Sequence, residues 1–158
     1  MSAQLIFDLV PLASTICYRD GAPRPPERHR KKLAAWENRN GIGRLIRKQA
    51  ATFVGNTTLP ASITLHQGDY GSGGVITLRV HRTFSVNSDL KFTVVERPAV
   101  GSVQVLDRPG DEAELVHLAE SREAAEAWLK RHGYPTAVLH EITADEAAAD
   151  AIEGRAVA

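Results

Sequence analysis

The stretch from Ala61 to Pro98 constrains the fold more than any other, because it carries the longest alternation of apolar and polar residues in the chain. After Gly74, Ile76, Leu78, Val80, Phe84 and Val86 share one parity and Thr77, Arg79, His81, Thr83 and Ser85 the other; Arg82 alone breaks the apolar row. Successive side chains of a strand point to opposite faces, so the pattern predicts strands with one face on a core and the other toward water or a partner. Ile63 and Leu65 upstream extend the buried face, as do Phe92 and Val94 beyond the Asn87-Ser88-Asp89 turn, while Thr64 and His66 fall outside. Burying Ile76, Leu78 and Val80 at roughly 1.5–3 kcal/mol each would fix the register. Two linked hairpins, a central β meander over 61–98, are the simplest result.

With 158 residues the chain is long enough for one domain that needs neither metal nor disulfide to hold its core. The expected class is α+β, a mainly antiparallel sheet with helices on one face. Residues 4–10 (QLIFDLV) read as a strand ended by Pro11, and Thr15 to Tyr18 as a second before Asp20-Gly21. The Pro-rich connector 21–26 is too poor in donors for a sheet interior. Pro26 near a first turn and Glu27 at the positive dipole end predict a helix from Glu27 to Arg39, with Leu33 and Trp36 on one face and Asn40-Gly41 as its stop. Ile42, Leu45, Ile46, Gln49 and Phe53 then fall at amphipathic spacing and predict a short helix over about 43–52. Residues 24–53 thereby become a basic helical hairpin packed on the sheet, a poor match to the DNA-reading helix-turn-helix.

Residues 102–153 read as an acidic β-hairpin-α-β-α portion. Ser102–Leu106 and Glu114–Leu118 are strands joined across Arg108-Pro109-Gly110-Asp111. Ser121 caps a helix whose stripe is Ala125, Trp128, Leu129 and His132 and whose terminator is Gly133. Residues 136–142 form a strand, and Thr143 with Glu146 is a capping box opening a last helix to about Glu153, before a frayed tail over 154–158.

Lys and Arg total 19, as do Asp and Glu, so no global polyelectrolyte partner is implied. The distribution is nevertheless polar: from Arg19 to Lys48 ten basic residues stand against three acids, and from Asp107 to Ala158 five stand against twelve. The single cysteine, Cys17, excludes an internal disulfide, suits a reducing cytoplasm and reads as a small core side chain. The opening MSAQLIFDLVPL lacks a basic leader and no run is long enough to span a bilayer, so a cytoplasmic protein with no membrane partner is expected. The sequon at Asn56 is accordingly taken as a chance match.

The basic block carries the main functional expectation. Arg28, Arg30, Lys31, Lys32, Arg44, Arg47 and Lys48 can neutralise the phosphates of DNA or RNA without reading bases. The competing expectation is a homodimer or adaptor, in which the acidic end pairs with the basic block within the fold or between subunits. An enzyme alternative is a metal-dependent nuclease built on Asp69, Asp89 and Lys91, whose order resembles a carboxylate, carboxylate-x-lysine set. An acid two positions before a lysine is common by chance, which favours Asp89 in a turn and Lys91 as a solvated strand residue. The Gly68–Gly74 loop lies between strands and lacks a P-loop lysine, so it reads as a hairpin connection. His66 and His81 lie on neighbouring strands without a third ligand placed by spacing, and Glu114, His117 and Glu120 would align only on a helix. No metal, cofactor or catalytic residue is therefore assigned, and a non-catalytic binding protein is expected.

Overall fold

The structure, a computed structural model, describes residues 1–147. In chain order it contains α1 (Ala3–Leu9), β1 (Thr15–Arg19), α2 (Arg30–Arg39), β2 (Gly41–Gln49), β3 (Thr52–Val54), β4 (Thr57–Leu59), β5 (Ser62–Ser72) and β6 (Val75–Ser85). There follow β7 (Lys91–Glu96), β8 (Val103–Leu106), β9 (Leu115–Ala119), α3 (Arg122–Arg131) and β10 (Val138–Glu141). Five strands form an antiparallel sheet in the order β6-β5-β2-β1-β7, three form a second in the order β10-β8-β9, and β3 with β4 make a separate hairpin. The α+β class with mainly antiparallel sheets therefore holds.

Residues 4–10, expected as a strand, lie instead in α1 and its C-cap, Val10. Ser2 Oγ accepts a hydrogen bond from Leu5 N at 3.2 Å, which satisfies one of the free amides of the first turn. Ala3, Ile6 and Val10 then recur at helical spacing and lose all solvent contact. They cover the core made by Ile16, Tyr18, Leu45, Ile63, Leu65 and Phe92 on one face of the five-stranded sheet. Each such aliphatic or aromatic side chain contributes about 1.5–3 kcal/mol.

The helix expected over 43–52 is a strand, β2. Leu45 and Ile46 are both buried although adjacent, because they serve opposite faces. Leu45 belongs to the core under α1, and Ile46 joins Ala13 and Leu115 in a smaller cluster on the other side. A register shift between Leu45 and Arg47 accompanies this change, and the doubled apolar pair mimicked a helical stripe. Neither a helical hairpin nor a helix-turn-helix exists here, since α2 leads directly into a strand.

The meander breaks at its last step. β5 and β6 form the expected hairpin, closed by Gly73-Gly74 with φ of 63° and 79°, the two positive values a type I′ turn demands. β7, however, crosses to the far edge and pairs with β1, setting Phe92 opposite Tyr18. Both rings then meet Phe84 of β6, at 4.7 Å for Tyr18 and 5.4 Å for Phe92, so an aromatic cluster under α1 rewards the crossover. The outer half of the hairpin runs past this core. Ile76 and Leu78, expected inside, are 50% and 56% exposed.

α2 runs from Arg30, later than Glu27, and buries none of its residues. α1 lies on the five-stranded sheet and α3 on the three-stranded one, where Trp128 and Leu129 pack on Val103 and Val105. The helices are thus shared between two sheets and do not lie together on one face. Ser121 caps α3 as expected, and Thr143 and Glu146 exchange both capping-box hydrogen bonds, at 2.9 and 3.4 Å. The remainder of the helix expected to about Glu153, and the tail over 154–158, fall outside the described residues. The two sheets meet where Leu115 packs with Ile46, and Gln104 Nε2 of β8 donates to the carbonyl of Leu12, in the connection from α1 to β1, at 2.6 Å. No helix among the described residues is long and apolar enough to cross a membrane.

Candidate functional site

The basic block divides into two groups with different surroundings. Arg28 lies just before α2 and Arg30, Lys31 and Lys32 lie in its first turn, and all four are exposed. Arg28 Nε lies 3.3 Å from His29 Nε2, and no carboxylate among the described residues pairs with any of the four. Two acids of the C-terminal portion are engaged elsewhere, Asp107 with Arg108 at 2.9 Å and Glu146 with His140 at 2.8 Å. The other end of α2 is tied down by polar contacts. Arg39 pairs with Asp20 at 3.4 Å and Asp89 at 2.7 Å, Trp36 Nε1 donates to the Ala22 carbonyl, and Arg82 grips Asn38 through two bonds of 3.2 and 2.7 Å.

Arg44, Arg47 and Lys48 are on β2 instead. Arg47 is half-buried, its Nε enclosed without a hydrogen-bond partner. Burial holds the Lys48 ammonium below its ordinary pKa, the Arg97 charge adds to the effect and the Asp8 charge opposes it. Neither offers a free cation to a polyanion. Arg44 is exposed, and its position in the sheet is informative. Antiparallel register sets Glu96 opposite Thr15, Thr15 opposite Arg44, Arg44 opposite His66 and His66 opposite His81. Residues directly opposite share a face, so one row crosses all five strands on the side away from α1.

Against this row stands β9, leaving a cleft of about 210 Å³ between the sheets. Arg44, His66 and His81 line one wall with Asp69 and Arg79, and Glu114 and His117 line the other. His66 Nε2 is 2.7 Å from Asp69 Oδ1, and Arg79 Nε lies 3.7 Å from the same oxygen. The hydrogen bond from His66, with the charges of His66, Arg79 and His81, holds the Asp69 carboxyl below its ordinary value despite the opposing effect of burial. His117 lies parallel to the Trp128 indole with centroids 4.7 Å apart, and His132 lies parallel to the same indole at 4.0 Å. Burial first, then the positive charges of His132 and Arg44, push the His117 imidazole below its usual pKa.

The nuclease set does not assemble. Asp69 sits on β5 with His66 and Arg79, whereas Asp89 pairs with Arg39 in the turn before β7 and Lys91 is exposed on β7; β2 and β1 separate the two strands. The third histidine that sequence spacing left unplaced is His117, delivered by the packing of one sheet on the other. Among the described residues, however, no group of three or more His, Cys, Asp or Glu side chains is arranged to hold a metal ion. Cys17, expected in the core, is half-buried beside Trp36 and Ile42 in a shallow surface hollow.

A five-stranded antiparallel sheet under one helix, joined across a polar cleft to a three-stranded sheet under another, defines an α+β protein with an inter-sheet site. The chain belongs to the family described as "Uncharacterised conserved protein UCP036055", whose model matches residues 1–146. Neither the curated proteins nor the solved structures contain a match.

Proposed function

We propose that this is a non-catalytic, cytoplasmic nucleic-acid-binding protein that neutralises backbone phosphates with the basic start of α2. The observation that carries the reading is the exposure of Arg28, Arg30, Lys31 and Lys32 with no carboxylate partner among the described residues. Because α2 buries nothing and is fastened only at its C-terminal half, its basic end is presented to solvent on a fixed base. Phosphate contacts of this kind position a protein on nucleic acid without selecting a sequence. Fluorescence anisotropy with duplexes of unrelated sequence and with single-stranded RNA tests the proposal. Similar affinities across the duplexes, reduced about tenfold or more in R28A/R30A/K31A/K32A, support it. Unchanged binding by that variant overturns it.

The β3–β4 hairpin favours a second reading, the homodimer. Phe53, Val54 and Leu59 are 82%, 60% and 49% exposed on an isolated two-stranded ribbon, a unit marginal in water on its own. A second copy of the chain laid over this ribbon would cover them. Sedimentation at several concentrations decides: association weakened by F53S supports the dimer, and a monomer throughout removes it.

A further inference from the structure

The inter-sheet cleft collects polar groups whose hydrogen-bonding capacity the fold leaves open. Asp69 is already engaged by His66 and Arg79. Arg44, His81 and His117, from β2, β6 and β9, have no hydrogen-bond or ion-pair partner among the described residues. Three separate strands thus bring unspent donors to one small volume. The cleft, about 210 Å³, has room for a compact polar ion together with its hydration water.

We propose that this cleft binds one tetrahedral oxyanion of the phosphate class, free or as the head of a phosphomonoester, between the Arg44 guanidinium and the imidazoles of His81 and His117. A guanidinium offers a planar fork of donors that matches two oxygens of such an ion, and each protonated imidazole donates through both nitrogens. With neutral histidines, Arg44 and Arg79 are balanced by Asp69 and Glu114, so the lining carries no net charge. Protonation of His66 or His81, or of His117 against the burial that favours its neutral form, makes it positive, with His132 of α3 adding its charge from beside Trp128. Glu114 opposes the anion and limits affinity at higher pH. The site depends on Arg44 and not on α2, so it stands or falls separately from the nucleic-acid proposal.

Isothermal titration calorimetry on the full chain tests it with sulfate, inorganic phosphate and glycerol 3-phosphate. Sulfate is a dianion throughout the range, and its affinity rises several-fold between pH 8 and pH 6 because the bound anion favours proton uptake by the imidazoles around it. R44A weakens binding about tenfold, R44K less, and E114Q strengthens it. Should R44A fail to fold, H81Q carries the same expected loss. Tighter binding of glycerol 3-phosphate than of phosphate identifies an ester as the natural form, and the reverse identifies the free ion; either supports the site. The absence of saturable binding at pH 6, undiminished binding by R44A and H81Q, or a loss confined to K31A/K32A overturns it.

Discussion

His66 and His81 face each other across β5 and β6, their rings 5.6 Å apart and edge to face, with Asp69 holding the outer nitrogen of His66 at 2.7 Å. The Asp69 carboxyl is kept below its ordinary pKa by that hydrogen bond and by the neighbouring positive charges. A group whose folded pKa is depressed adds stability above its unfolded value and loses it as pH falls through the folded one. D69N is therefore expected to flatten the decline of the urea midpoint below pH 4, relative to native protein, with little change in shape near neutrality.

His117 works in the opposite charge sense. Its imidazole is favoured neutral in the fold by burial and by the charges of His132 and Arg44. The unfolded chain then binds more protons, so stability rises with pH across the window between the lowered pKa and the ordinary histidine value, and falls as the solution is acidified through it. H117Q removes this component. Urea unfolding of native and H117Q protein at pH 7.5 and 5.5 checks the sign: the native midpoint drops more on acidification than the variant's.

Phe92 anchors the crossover of β7. It is fully buried, and its ring meets Tyr18 at 6.4 Å and Phe84 at 5.4 Å. F92A is expected to cost about 3–5 kcal/mol, read as a lower midpoint in urea at unchanged slope.

Arg82 interrupts the apolar alternation of β6 because it has a tethering duty. Its Nε donates to Gln67 Oε1 at 3.2 Å and its two terminal nitrogens to Asn38 at the end of α2. With no buried residue of its own, α2 relies on such bonds. R82A is expected to cost about 1–3 kcal/mol and to speed amide hydrogen exchange in residues 30–39 selectively. Uniform acceleration across the sheet would show that the tether is not local.

Much of the sheet was legible from period-2 alternation, and so were the caps at Ser121 and Thr143, because strand parity and capping chemistry are local properties. β2 was not, because burial on both faces of a bulged strand places Leu45 beside Ile46 and reads as a helix. Gly41 and Gly43 carried the missing signal. A Cβ at Gly41 would lie 2.6 Å from the Tyr18 hydroxyl and one at Gly43 2.9 Å from Leu65 Cβ, so both mark close approach within a sheet. Ser2 before Ala3, Ile6 and Val10 was likewise a readable helix start, outweighed by the β-forming look of residues 4–10. The pairing of β7 with β1 and the arrival of His117 opposite His66 and His81 depend on tertiary packing, which no local pattern encodes.

The central claim is that the start of α2, and not Arg47 or Lys48 of β2, meets the nucleic-acid backbone. Four cations engaging four phosphates of a duplex predict a slope of about −3.6 in log affinity against log salt. The measurement is that slope for native protein, for R28A/R30A/K31A/K32A and for R47A/K48M. The native slope retained by R47A/K48M and nearly abolished in the α2 variant is the predicted result. A flat native slope, or one lost with R47A/K48M and kept by the α2 variant, contradicts it.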